Sequence, residues 1–246
     1  MSMGNQTVSV QSDATVVKVM CALAMDLAIN RGLKPSFESA SGFCLNIDWR
    51  PTAALMASIA EGQRADLVIA IAESMDRLVA EGIVQPPTRA TLADSALGVG
   101  VRQGSPQPDV SSVEAFKRAM VDARAVAYSK AGASGLYFAD LIKRLGIADA
   151  VNAKAVIIPM GFTAEKVVNG EADLAVQQIS ELMTVPGVDV IGPFPAEIQV
   201  VSRFDAAVFA GAVNVQGAKA FLSMLTSSAA AKAYAEGGLT SRLAQP

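Results

Sequence analysis

Several turns in this sequence place hydroxyls, amides and small residues where a strand would lead into a helix. Such turns suit an anion, because a helix N-terminus presents unpaired N–H groups and the positive end of the helix dipole. The first is Gln11-Ser12-Asp13-Ala14, where Ser12 either contacts a ligand or caps the following helix. The second is Asp48-Trp49-Arg50-Pro51-Thr52, with Pro and Thr opening a helix. Arg50 there has a guanidinium suited to gripping a carboxylate through two parallel hydrogen bonds, or it is a solvated surface arginine. The third is Ser129-Lys130-Ala131-Gly132-Ala133-Ser134-Gly135, whose small residues let backbone amides approach a ligand closely. Ser134 is a ligand group or a helix N-cap, and Lys130 faces the ligand or the solvent. The fourth is Met160-Gly161-Phe162-Thr163, again at a helix start.

Acid–base chemistry is narrowly constrained, because the chain contains no histidine. That removes the usual general base, the Ser-His-Asp arrangement and the commonest transition-metal ligand. A carboxylate or lysine tuned by desolvation remains, and Glu38, Asp13 and Lys130 are the candidates, each with a surface role as its alternative. Cys21 and Cys44 lack the paired spacing of a zinc site and are expected as free thiols, in a helix and a loop respectively. No metal and no cofactor is implied. Trp49, Phe162 and Phe43 line a pocket or belong to the core.

The elements that position these turns alternate. Residues 8–10 read as a strand, and 15–30 carry apolar residues at the three-and-four spacing of an amphipathic helix. Residues 66–72 form a continuous apolar run suited to a parallel strand, and 73–81 a helix stopped by Gly82. After a strand over 95–102, a helix spans 111–123 with Ser111 and Glu114 as its capping box. Strands at 125–128, 155–158 and 174–177 then alternate with helices at 134–145 and 163–169, and helices at 217–225 and 228–236 close the chain. This pattern implies βαβ units and a mostly parallel sheet. An internal echo pairs Ile59-Ala-Glu-Gly-Gln-Arg-Ala-Asp-Leu-Val-Ile69 with Val167-Val-Asn-Gly-Glu-Ala-Asp-Leu-Ala-Val176, which suggests two similar lobes.

At 246 residues the chain is long enough for its core to split in two. Its 20 basic and 23 acidic residues are scattered, so no basic stripe offers itself to nucleic acid. No run approaches the roughly 20 apolar residues of a membrane span. As written, the first residues leave no room for an export signal, which favours the cytoplasm. A chain that had lost such a signal would be periplasmic.

The order of Thr-Ala-Ala-Leu opening a helix, Glu-Gly-x-x-Ala-Asp-Leu-Val-Ile, Leu-Val-Ala-Glu-Gly, Gly-Glu-Ala-Asp-Leu-Ala-Val and a closing Ala-Lys-Ala-Phe-Leu resembles the type II periplasmic solute-binding proteins, most of all their molybdate-binding branch. Gly-Val-Gly-Val-Arg-Gln-Gly-Ser-Pro-Gln-Pro-Asp and Gln177-Gln178-Ile-Ser-Glu-Leu-Met183 look like a signal-less subgroup similar to bacterial aconitate isomerases. The resemblance implies an α/β fold of two lobes, each a mostly parallel sheet flanked by helices, with a ligand cleft between them. Lobe 1 would comprise 1–100 and 200–246 and lobe 2 101–199, with hinges near 97–102 and 199–204. It also implies ligand contacts from Ser12, from Thr52 in place of a second serine, and from Gln178 where the molybdate binders have a tyrosine. With Arg50, Ser129, Lys130, Ser134, Gly161 and Phe162 these form the expected binding set. Arg50 and Gln178 depart from the molybdate pattern and point toward an organic acid. The expected function is small-anion binding, with a transporter partner if the chain is exported. The alternative is a cofactor-free isomerase that shifts a proton and a double bond in a di- or tricarboxylate. A ligand-sensing regulatory domain ranks last.

Overall fold

The computed structural model describes residues 15–243, so Ser12, Asp13 and the strand expected at 8–10 lie outside the described residues. Lobe 1 begins β1 (Val16–Ala22), α1 (Lys34–Ser41), β2 (Cys44–Arg50), α2 (Thr52–Ala60), β3 (Leu67–Ile71) and α3 (Ala72–Ala80), followed by the long β4 (Ala90–Arg102). Lobe 2 follows as α4 (Val113–Asp122), β5 (Val126–Ser129), α5 (Ala133–Arg144), α6 (Ala148–Asn152), β6 (Val156–Ile158), α7 (Ala164–Val168), β7 (Leu174–Gln178), α8 (Ile179–Thr184) and β8 (Val188–Pro193). The chain returns through β9 (Val201–Val208), α9 (Val215–Leu225), α10 (Ser228–Glu236) and β10 (Thr240–Ser241).

The strands run β2-β1-β3-β9-β4-β7-β5-β6, with β8 and β10 also paired to β4. Each lobe has a parallel triplet, β2-β1-β3 in one and β6-β5-β7 in the other. The remaining pairings are antiparallel, so the sheet is mixed. β4 belongs to both lobes. Its first half pairs with β9 up to Ala96 opposite Val201, and from Leu97 onward it pairs with β7 and β8. Gln199 clasps this crossing: its Oε1 accepts from the Leu97 and Val200 N–H groups, each at 3.0 Å, and its Nε2 donates to the Leu97 carbonyl at 2.9 Å.

Helices cover both faces of each lobe's sheet. Alternate residues of β1, β3 and β9 bury Val17, Val19, Ile69, Phe204 and Val208 against α1, α9 and α10, while Met20, Val68 and Ala207 pack against α2 and α3. In lobe 2 the same division sends Val126, Tyr128 and Val176 toward Phe116 and Phe138, and Ala127 and Ala175 toward Ala164 and Val167.

The two copies of Ala-Asp-Leu do the same work. Asp66 accepts from the Lys18 N–H at 2.8 Å and its own N–H donates to the Lys18 carbonyl. Asp173 accepts from the Arg124 N–H at 2.7 Å, and its own N–H donates to the Ala125 carbonyl. Each aspartate thus locks the start of one strand onto its parallel neighbour, after a helix that ends at a glycine with positive φ, Gly62 or Gly170.

Three expectations are corrected. The helix over 15–30 is a strand, β1, followed by a 3-10 turn at Leu23–Met25 and a π-helical turn at Ala28–Leu33. Apolar residues at 16, 17, 19, 20 and 21 satisfy a strand buried on both faces as well as a helical stripe, and the β-branched Val16, Val17 and Val19 tip the balance. Cys21 accordingly lies in β1, and Cys44 opens β2. The cap of α4 is Ser112, whose hydroxyl accepts from the Ala115 N–H at 3.2 Å, in place of Ser111.

Candidate functional site

Both parallel triplets end at one cavity between the lobes. It encloses about 20 Å³ and is lined by Ala22, Leu23, Ala24, Pro51, Thr52 and Phe204 from lobe 1 and by Ser129, Gly132, Ala133, Ser134, Gly161, Gln177, Gln178 and Glu181 from lobe 2. Apart from Gly161, which follows β6, and Phe204, on β9, these residues stand at or just past the carboxyl ends of β1, β2, β5 and β7, where doubly wound sheets bind their ligands.

The lobe 2 wall is built by backbone constraint. The Ser129 hydroxyl, at the end of β5, accepts from the Gly132 N–H at 3.0 Å and folds the turn into α5. A Cβ at Gly135 would lie 1.7 Å from the Ser129 carbonyl oxygen, so only glycine lets α5 start this close to the strand. Gly132 is the residue that caps α5. Ser134, in the first turn of α5, is 4% exposed, and its hydroxyl makes no hydrogen bond to another described residue.

The neighbouring turn is clamped by Gln177. Its Oε1 accepts from the Thr163 N–H at 2.8 Å and the Thr163 hydroxyl at 2.9 Å, and its Nε2 donates to the Gly161 carbonyl at 3.0 Å. Gly161 takes a φ of 96°, a conformation that favours glycine. Gln178 ends β7, is 4% exposed, and has a buried Oε1 with no hydrogen-bond partner among the described residues. Three residues on, in the first turn of α8, Glu181 is 8% exposed. Burial raises its carboxyl to about 7, against the opposing pull of the Gln178 N–H and the Gln177 side chain. Among the described residues lining the cavity, Glu181 is the only ionisable side chain.

Of the expected binding set, Thr52, Ser129, Ser134, Gly161 and Gln178 line the cavity together. Arg50, Lys130 and Phe162 do not. Arg50 is ion-paired to Asp48 at 2.7 Å and bonded to the Ser58 hydroxyl, and Lys130 is exposed. Asp48 and Arg50 are two apart on β2 and therefore share a face, which is why they find each other. Glu38 accepts from the Leu45 N–H at 2.8 Å and lies 4.0 Å from Lys34, away from the cavity. Phe43 and Trp49 pack at the edge of the lobe 1 core.

Sequence reasoning missed Glu181, Gln177, Phe204 and the Ala22–Ala24 turn. Glu181 carried a signal, since a Glu three residues past a strand end stands at the capping-box position of the next helix. The Ala22–Ala24 turn was hidden inside the supposed first helix.

A model of the family described as "Bacterial extracellular solute-binding protein" matches residues 17–240. This chain belongs to that solute-binding family. Within the solute-binding fold it is similar to the Azotobacter vinelandii periplasmic molybdate-binding protein, with a TM-score of 0.76 at 20% identity, over 93% of this chain and 100% of the other. It is also similar to the sulfate-binding protein SubI from Mycobacterium tuberculosis H37Rv, with a TM-score of 0.72 at 19% identity, over 94% of this chain and 88% of the other. In sequence this solute-binding chain is 36% identical to an aconitate isomerase from a Pseudomonas species over 222 residues, 88% of this chain and 84% of that relative. Among its described residues no helix is long and apolar enough to cross a membrane.

Proposed function

We propose that the two lobes close on a small organic anion held in this cavity by hydroxyls and amides. The observation that carries the reading is the convergence of Thr52, Ser129, Ser134 and Gln178 at strand ends from both lobes, with the buried Gln178 Oε1 unpartnered among the described residues. Lobe boundaries of 1–100 with 200–246, and 101–199, are supported by the change of partners along β4 at Ala96/Leu97 and by the return of the chain at Val201. Closure then flexes β4 and the segment around Gln199. Arg50 and Lys130, two residues before Thr52 and next to Ser129 respectively, would act at the rim of the cavity. A transporter partner follows only if the protein is exported. The test is a thermal-shift panel of di- and tricarboxylates beside molybdate and sulfate. Stabilisation by a carboxylate and not by the oxyanions is expected, and the reverse order would overturn it.

A second reading is supported by the aconitate isomerase relative and by Glu181: the bound acid undergoes a proton shift, giving a cofactor-free isomerase. Proton NMR of cis- and trans-aconitate with the protein in heavy water tests it. Interconversion with deuterium uptake is expected; binding without either leaves a binder alone.

A further inference from the structure

We propose that Glu181 is the acid–base group of the cleft, taking a proton from the methylene carbon of a bound unsaturated di- or tricarboxylate and returning it to the far vinylic carbon. The inference rests on the isomerase reading and supplies the residue that would carry it out. In this step the methylene C–H bond breaks, its electron pair spreads over the allylic carbons and the attached carboxylate, and the proton moves onto a Glu181 carboxylate oxygen. A C–H bond then forms at the other end of the allylic system with that proton, the double bond migrates one position, and Glu181 is again ionised. Neither an oxidant nor a second reactant is needed. In aconitate the exchange of methylene and vinylic carbons interconverts the cis and trans forms.

The assignment stands on placement. Glu181 is the only ionisable side chain among the described residues that line the cavity, and it is buried there beside Gln177 and Gln178. Glu38 and Lys130, the alternatives described, are outside it. Among the described residues, no charged side chain from β4, β7, β8 or the 3-10 turn packed around α8 neutralises Glu181. β4 carries Asp94, which is paired with Arg242 and Arg203, and Arg102 at its far end. β8 carries Asp189, which accepts from the Gly104 N–H, while β7 and the 3-10 turn at Leu23–Met25 have no ionisable residue. Arg203 itself lies on β9. Desolvation therefore dominates, and at about 7 the carboxyl is poised to accept and then release a proton near neutral pH. The unpartnered Gln178 Oε1 alongside adds an acceptor that can hold a ligand group in register.

The test combines Glu181→Gln with the wild-type pH profile, using trans-aconitate as the probe. Glu181→Gln should lose at least about 100-fold in isomerisation and in deuterium exchange while still showing a thermal shift with trans-aconitate. Wild-type kcat/KM should fall about tenfold per pH unit below about pH 7, as the base is protonated. Glu181→Asp should retain measurable turnover and a pH-dependent profile, which carries the test if the glutamine variant does not fold. Turnover by Glu181→Gln within about threefold of wild type, or a flat wild-type profile from pH 5 to 8, would overturn the role of Glu181 and leave the isomerase reading intact. Wild-type protein that binds trans-aconitate without exchanging its protons would overturn both.

Discussion

Lobe 1 reaches the cavity through Ala22, Leu23, Ala24, Pro51, Thr52 and Phe204, whereas lobe 2 reaches it through Ser129, Ser134, Gln177, Gln178 and Glu181. Both rims are mounted on the same device, a parallel triplet locked by an Ala-Asp-Leu aspartate. The scaffold is duplicated and the chemistry is not. In the proposed function lobe 2 therefore supplies most of the recognition, while among the described residues lobe 1 closes over the ligand as a mainly apolar cover whose one hydroxyl side chain is Thr52. An anion so enclosed loses water on one side and gains directed hydrogen bonds on the other, which strengthens each bond as the dielectric falls.

The comparison breaks most visibly at glycine. Gly135→Ala drives a methyl group into a backbone oxygen of lobe 2 and should cost more than about 3 kcal/mol in urea denaturation. Gly217→Ala in lobe 1 meets the Val17 side chain at 2.4 Å, and the Asn214 side chain as well. These are side-chain rather than backbone contacts, so a smaller cost of about 1–2 kcal/mol is expected. Equal costs at the two sites would show that the lobe 2 turn is more adaptable than its geometry indicates.

Glu181 sharpens the contrast through pH. Its folded value, about 7, lies above its ordinary 4.5, so the folded protein holds the proton more tightly than the unfolded chain. Its contribution to stability is thus full below pH 4.5 and is lost as the pH rises through 7. The difference amounts to about 3 kcal/mol. Measured as the difference between wild type and Glu181→Gln in denaturant midpoints from pH 4 to 8, the curve should slope downward for wild type relative to the variant. A flat difference would place the carboxyl in contact with solvent.

The smallest effects concern binding. Ser134→Ala removes a buried hydroxyl from the lobe 2 wall and should weaken carboxylate binding about tenfold in calorimetry. Thr52→Ala, on the cover, should weaken it about threefold. A larger loss at Thr52 would reverse the assignment of walls.

How much of this was legible in the sequence depended on what kind of signal each residue carried. The echo of Ala-Asp-Leu was readable because it is local, and its two aspartates do make equivalent bonds. The turns at Ser129–Gly135 and Gly161–Thr163 were readable because small residues before a helix have few other uses. The opening strand was not, since a strand buried on both faces loses the alternation that distinguishes it from a helix. Glu181 was passed over because a carboxylate in the first turn of a helix is ordinary, and only the tertiary fold reveals that this one lines a cavity with no other charge among the described residues. Arg50 misled for the converse reason: its partner, Asp48, is two residues away on its own strand.

The cavity of about 20 Å³ has a kinetic corollary, for it has room for about a single water and none for a tricarboxylate. In the proposed function, entry waits for β4 and the Gln199 crossing to yield. The rate of complex formation in stopped-flow mixing should then rise with ligand concentration only at first, and level off at the frequency with which the lobes part. Residence time would be set by the same motion, so a substitution that loosens the Gln199 clasp should hasten both arrival and departure while leaving the equilibrium affinity less affected than either rate.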